Sequence, residues 1–351
     1  MPPVPLFLRV IEMILAMVAL CAPVSASHAQ GLEWPAKTHY RYEEIDGKRI
    51  FFREAGDLSK PTIVLLHGFP SSSHTYRELI PLLSGRFHIV APDYLGSGYS
   101  DHPDPDKAPY TFDRLAEYVS RLLSKLRIKR YVLYMQDFGA PVGYRVIQQS
   151  PESLQALIVQ NANAYLAGLT DARQDFFRTA NQDRSPEKVA SLFAFVGREA
   201  IISRQYLRDV KGKEDSMSPD SWTHDLTFLQ TEQDRKIQVQ LFQDYYNNIL
   251  TYPKWQELLR QKQPPTLIVW GKNDPAFIAA GAYAYLQDLP NAELHMLDAG
   301  HFAVEERAVE IARHIRGFLD RVLESGDRSR DAQQGAPPDA PAAASPRPDR
   351  G

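Results

Sequence analysis

An apolar run, Tyr131-Val-Leu-Tyr-Met135, gives way to Gln136-Asp137-Phe138-Gly139 and then to a stretch that reads as a helix. A strand that turns this sharply into a helix is an arrangement that presents a nucleophile at its apex, usually a serine. Here the apex holds Asp137, and Gly139 and Gly143 supply small residues where the turn is tight and the helix packs closely. The bland reading of Asp137 is a helix cap, with Pro141 in the first turn. Both roles can hold, because the N-terminal end of a helix favours an anion. A carboxylate is ionised at neutral pH and needs no base to attack. It suits a strained or halogenated sp3 carbon, where attack gives a stable ester; attack on an ester substrate would give a reactive mixed anhydride. Hydrolysis of the ester then needs activated water, hence a general base, and the base needs an orienting acid. His301, in "AGHF", lies in a loop between a strand pattern and a closing helix, although a lone histidine is more often structural. Asp274 follows the apolar run "LIVWG" within "KNDP", where a turn-forming aspartate before Pro275 is the plain alternative.

The elements that must position these residues alternate along the chain. "HYRYEEIDG" and "RIFFREAG" predict a hairpin around Asp46-Gly47. "TIVLLHG" (62–68), "FHIVAPD" (87–93), the run before Asp137 and "LQALIVQNA" (154–162) read as buried strands, apolar on consecutive positions. Helices are expected over Ser72–Leu83 and Thr111–Leu126, the second with Phe112, Leu115, Val119, Leu122, Leu123 and Leu126 at helical spacing. Such alternation predicts an α/β fold with a mostly parallel sheet flanked by helices. From 163 to 263 the pattern turns helical and aromatic, as an inserted helical cap would. Strands resume at "PTLIVWGKND" (265–274) and "AELHMLD" (292–298), before a closing helix over Val304–Leu323. The core is therefore expected at 31–162 and 264–325. From 326 to 351 the sequence is rich in Pro, Ala, Asp and Arg, and reads as a disordered tail.

The 351 residues are 44% hydrophobic and 24% charged with a formal net charge of −3, which gives no reason to expect nucleic acid as a partner. Arg9, the apolar run Val10–Leu20 and the small residues of "CAPVSASHAQ" read as a cleavable signal peptide over 1–29. The run is too short for an ordinary span of about 20 apolar residues, so the expectation is a periplasmic or secreted chain without stable membrane insertion. Cys21, the single cysteine, lies inside that leader, so the mature chain would have no disulfide, cysteine nucleophile or thiolate zinc site.

"HGFP" (67–70), "PDYLGSGYSD" (92–101), "QDFGAPVG" (136–143), "WGKNDP" (270–275) and "DAGHF" (298–302) occur in that order. With them the chain, from about Thr38 to Leu323, resembles the α/β-hydrolase family, in its branch of epoxide hydrolases and haloalkane dehalogenases with an aspartate nucleophile. The resemblance implies Asp137 as nucleophile, His301 as base and Asp274 as orienting acid, with Asp298, Glu305 and Glu306 weaker candidates for the acid. It assigns the oxyanion hole to the amides of Phe69 and Phe138, leaves His67 and Gly68 to shape the loop and gives Asp93 a structural role. No cofactor or metal is implied. Dehalogenases hold the departing halide with side-chain N–H donors, but the matching positions are Phe69 and Phe138, and Trp222, Trp255, Asn161 or Asn163 would have to substitute. Phe138 and Pro141 also stand where fluoroacetate dehalogenases carry arginines. Epoxide hydrolases protonate the opening ring from cap tyrosines. Tyr206 and Tyr245 are the candidates chosen, ahead of Tyr246, Tyr252 and Tyr165. Hydrolysis of an epoxide on a small, largely apolar substrate is therefore expected, with haloalkane dehalogenation, ester or lactone hydrolysis and a non-catalytic binding protein as alternatives.

Overall fold

Apolar residues on consecutive positions of a strand can be buried only if both faces of its sheet are covered. In the computed structural model, which describes residues 36–334 and side chains to residue 323, that is how the runs are used. Eight strands form one sheet in the order β1 (His39–Ile45), β2 (Lys48–Ala55), β4 (His88–Pro92), β3 (Thr62–Leu66), β5 (Tyr131–Gln136), β6 (Leu154–Gln160), β7 (Thr266–Gly271) and β8 (Glu293–Leu297). β1 pairs with β2 and β2 with β4 antiparallel; all other pairs are parallel. The β1–β2 hairpin turns at Asp46 and Gly47, both with positive φ as a two-residue turn of this hand requires. Alternate residues serve opposite faces. Val64, Leu66, Leu133, Met135 and Val159 join one core with the helices Phe112–Lys125 and Gly139–Gln149, while Ile63, Leu65, Val132, Tyr134 and Ile158 join a second core against the closing helix.

Between β6 and β7 the chain leaves the sheet for a run of helices, Asp171–Gln182, Pro186–Phe195, Pro219–Thr227 and Glu232–Lys262, capped by Thr170, Ser185, Ser218 and Thr231. Each cap hydroxyl accepts a backbone N–H of the first turn, which the helix itself leaves without a partner.

Two segments differ from expectation. Ser72–Leu83 is not one helix but a 3-10 turn, Ser73–Tyr76, followed by a short helix, Leu79–Leu83. Pro81 has no N–H to return to the preceding turn, which disfavours a single continuous helix. The closing stretch Ala303–Gln334 is kinked at Arg307, whose φ of −135° is not helical, and its helix continues past the composition change at 326, where no proline interrupts it. The leader expected over 1–29 lies outside the described residues, as does the tail from 335. None of the described helices is long and apolar enough to cross a membrane.

Candidate active site

The strand-to-helix turn holds Asp137 at φ 51°, a left-handed conformation that costs a residue with a Cβ and persists only where the surroundings enforce it. The surroundings are close. A Cβ on Gly139 would lie 2.3 Å from the carbonyl oxygen of Leu66, and one on Gly68 would lie 2.3 Å from the Cβ of Asp137. Only glycines let the elbow and the loop after β3 approach so nearly. That approach brings the Phe69 amide to donate to Asp137 Oδ1 at 2.7 Å. The Phe138 residue caps the helix Gly139–Gln149, so its amide stands at the same helix N-terminus.

Asp137 Oδ2 lies 3.5 Å from His301 Nε2, and the other ring nitrogen, Nδ1, donates to Asp274 Oδ2 at 2.6 Å. His301 and Asp274 come from loops after β8 and β7, whose parallel pairing sets those loops side by side. Asp274 is itself anchored. Its Oδ1 accepts from the amides of Ala276 and Phe277 at 2.7 and 3.0 Å, and its Oδ2 accepts from Asn161 Nδ2 at 2.9 Å. All three residues are at most 6% exposed, so their charges act on one another with little screening. Burial alone would discharge His301, but Asp274 and Asp137 outweigh it and push the imidazole up to about 10. Burial likewise opposes the charge of Asp274, but His301 and the hydrogen bonds hold it below the ordinary carboxylate value.

The other candidates are placed elsewhere. Asp298 faces Lys272 and Lys213, Glu305 binds Arg77, and Glu306 accepts the Gly300 amide. Asp93 receives the amides of Ser73 and Tyr99, and His67 Nε2 receives that of Tyr94. Asn161 donates to Asp274 and also brackets Gly271, and Asn163 donates to the Gly168 carbonyl. Trp255 stacks on Tyr144, and Trp222 lies against Tyr206.

Among the tyrosines the structure separates the two chosen candidates. Tyr206 donates its hydroxyl to the buried carboxylate of Asp225, which also accepts from Ser71 and ties the cap to the loop after Phe69. Its ring stacks on Phe302, and burial, Asp225 and Glu305 raise its pKa. Tyr206 is therefore tied within the cap to Asp225 and meets the core through Phe302 and, by way of Asp225, through Ser71. Tyr245 differs. Its ring lies 5.5 Å from that of Phe138, its hydroxyl has no well-formed hydrogen bond, and Asp137 adds to the burial that raises its pKa. Tyr252, seven residues on, is drawn to the same place, with its hydroxyl beside that of Tyr245 and Asp137 acting on it too. Tyr165 donates to Asp288 instead.

Two further residues stand within electrostatic range of Asp137. Tyr94 is buried against His67 with a free hydroxyl and feels Asp137. Arg173 lies over Phe176 and Phe177 at 5.5 and 5.9 Å, with burial and Arg208 pulling its pKa down while Asp274 and Asp137 support its charge. A cation in the first turn of a helix opposes the helix dipole, and that misplacement was the one signal available in the sequence. Among the described residues no cluster of three His, Cys, Asp or Glu side chains could hold a metal.

A family model described as the alpha/beta hydrolase fold matches residues 61–308. An uncharacterized hydrolase of Saccharomyces cerevisiae is 40% identical over 280 residues, covering 79% of this chain and 95% of that protein. A haloalkane dehalogenase of Mycolicibacterium paratuberculosis is 26% identical over 298 residues, covering 83% of this chain and 95% of that one. The solved structure of the epoxide hydrolase CorEH without ligand superimposes with a TM-score of 0.65 at 18% identity, over 82% of this chain and 100% of that one, which is a likeness of fold.

Proposed function

The chain belongs to the α/β-hydrolase family, and from that premise we propose that it hydrolyses epoxides through an ester on Asp137. The observation that carries this reading is the orientation of the Asp137 carboxylate. Oδ1 lies in the Phe69 N–H and Oδ2 is left toward His301, so one oxygen can attack while the other is ready to take up charge.

In the first step Oδ2 bonds to a ring carbon of the epoxide. The carbon–oxygen bond of the ring breaks, and its electron pair goes to the ring oxygen, which takes the proton of Tyr245 with Tyr252 beside it. Esterification removes the charge of Asp137, one of the two carboxylates that keep His301 protonated. The imidazole then sheds its proton, which balances the one that the Tyr245 phenolate regains. Neutral His301 takes a proton from water, and the hydroxide adds to the ester carbon. The oxyanion forms on Oδ1 against the Phe69 amide. Collapse of this intermediate releases the diol, whose oxygen is protonated by His301, and the Asp137 carboxyl then gives its proton to the imidazole, which restores the resting pair.

Dehalogenation is the second reading, favoured by the dehalogenase among the relatives. Phe69 and Phe138 flank the nucleophile with rings 6.0 Å apart and offer a departing halide no side-chain N–H. A panel of styrene-oxide-like epoxides and bromoalkanes of similar size separates the two. Faster diol formation supports the epoxide reading, and faster bromide release overturns it. With His301→Gln, intact mass spectrometry should show the protein heavier by one substrate-derived group, and peptide mapping should place that group on Asp137.

A further inference from the structure

The long cap helix Glu232–Lys262 turns four polar side chains inward, Tyr245, Asn248, Tyr252 and Trp255, each at most 1% exposed. Their spacing of three, four and three residues sets them on one stripe of the helix. Asn248 Nδ2 and Oδ1, Trp255 Nε1 and both phenolic oxygens have no well-formed hydrogen bond to any described residue. Native proteins rarely leave buried polar atoms so; protein, water or ligand satisfies them. The stripe also begins beside the elbow, since the Tyr245 ring packs 5.5 Å from that of Phe138, the residue after the nucleophile. A wholly apolar substrate would leave this wall unmatched.

We propose that Asn248, about one turn beyond Tyr245, forms a polar subsite adjoining that tyrosine, with Trp255 further along the same stripe, and that the substrate carries a neutral hydroxyl on the chain beyond its epoxide ring. The inference rests on the epoxide reading and sharpens its substrate class. Asn248 offers both donors and an acceptor, and Trp255 a donor only, so the matching group must both give and take a hydrogen bond, as a hydroxyl does. A carboxylate would turn its charge on Asn248 Oδ1 in a site that already holds Asp137 and Asp274. The guanidinium near Trp255, that of Arg145 at 5.6 Å, is already bound by Asp113 and the Pro141 carbonyl. At about 1.5 Å of rise per residue, Asn248 stands about 5 Å along the helix from Tyr245. A hydroxyl a few bonds from the ring reaches it.

The test compares butyloxirane with (hydroxybutyl)oxirane, which differ by one terminal hydroxyl, in the full-length protein and in Asn248→Leu. The wild type should prefer the hydroxylated epoxide in kcat/KM, and the ratio of the two kcat/KM values should fall about tenfold in the variant. A ratio unchanged by the substitution, or an equal loss for both substrates, overturns the subsite and leaves these atoms to buried water. If Asn248→Leu loses its folded circular dichroism spectrum, Trp255→Phe is read by the same ratio, because it removes the N–H and keeps a ring on Tyr144. If the wild type turns over neither epoxide, the epoxide reading fails and the subsite is judged separately. Calorimetry with the corresponding diol and triol should then still show about tenfold tighter binding of the triol, and equal binding overturns the subsite.

Discussion

Replacing Asp137 by asparagine should convert His301 from a group that keeps its proton into a base that titrates near neutrality. In the resting site the imidazole is pushed up to about 10, because Asp274 and Asp137 outweigh the cost of burying its charge. The substitution preserves side-chain shape and removes one of those charges, as the ester does. Two unit charges at the 3.5 Å separation of His301 Nε2 and Asp137 Oδ2 interact by about 5 kcal/mol at an effective dielectric of about 20. The carboxylate divides its charge over two oxygens and Oδ1 is turned toward Phe69, so about half, roughly 2.5 kcal/mol, acts on the ring. At about 1.4 kcal/mol per pK unit this is a fall of about 2 units. His301 should therefore titrate near pH ~8 in Asp137→Asn, still above free histidine because Asp274 remains 2.6 Å from Nδ1. Nitrogen-15 NMR of labelled histidine across a pH series reads the value directly. A folded-state pKa above the unfolded one stabilises the protein fully below about 6.5, and the contribution is lost as pH rises. The loss should run through about 10 in the wild type and through about 8 in the variant. An imidazole in the variant that still titrates near its wild-type value, or that falls below free histidine, would refute the reasoning, and with it the account of how ester formation prepares the base.

Tyr245 and Tyr206 should behave differently. Tyr245→Phe should slow ring opening by about 100-fold or more, measured by single-turnover formation of the ester. Tyr206→Phe should leave that rate nearly intact but lower stability by roughly 1–3 kcal/mol in a denaturant titration, because Asp225 loses a buried donor. Equal kinetic effects in both variants would remove the distinction. Gly139→Ala should destabilise the protein by at least about 1–3 kcal/mol in the same titration, since the added Cβ must displace backbone rather than a side chain; a neutral result would show that the elbow has room to relax. Export of the chain predicts a mature N-terminus near Ser27 or Gln30 on N-terminal sequencing of protein from the producing cell, and a full-length cytoplasmic chain would refute it.

By itself the sequence determined the strands of the sheet and the local geometry of the elbow, though not the break within Ser72–Leu83. Unbroken apolar runs such as Thr62–Leu66 and Tyr131–Gln136 can be buried only in a sheet covered on both sides, and Asp137 followed by Gly139 and Gly143 already describes a tight turn onto a closely packed helix. These are consequences of neighbours in the chain. What only the tertiary structure decided is where the hydroxyls, the amide and the cation point. Tyr206 and Tyr245 are equivalent as letters in a helical, aromatic stretch, yet one is bound to Asp225 and the other lies beside Phe138 and Tyr252. Asn161, considered as a halide ligand, proved to anchor Asp274 because parallel β6 and β7 end side by side. Arg173 comes within electrostatic range of the carboxylates through the packing of its helix against the long cap helix. Periodicity states which face of a helix is buried. The partner of each buried polar atom depends on distances between segments far apart in sequence, and those are set only when the layers pack.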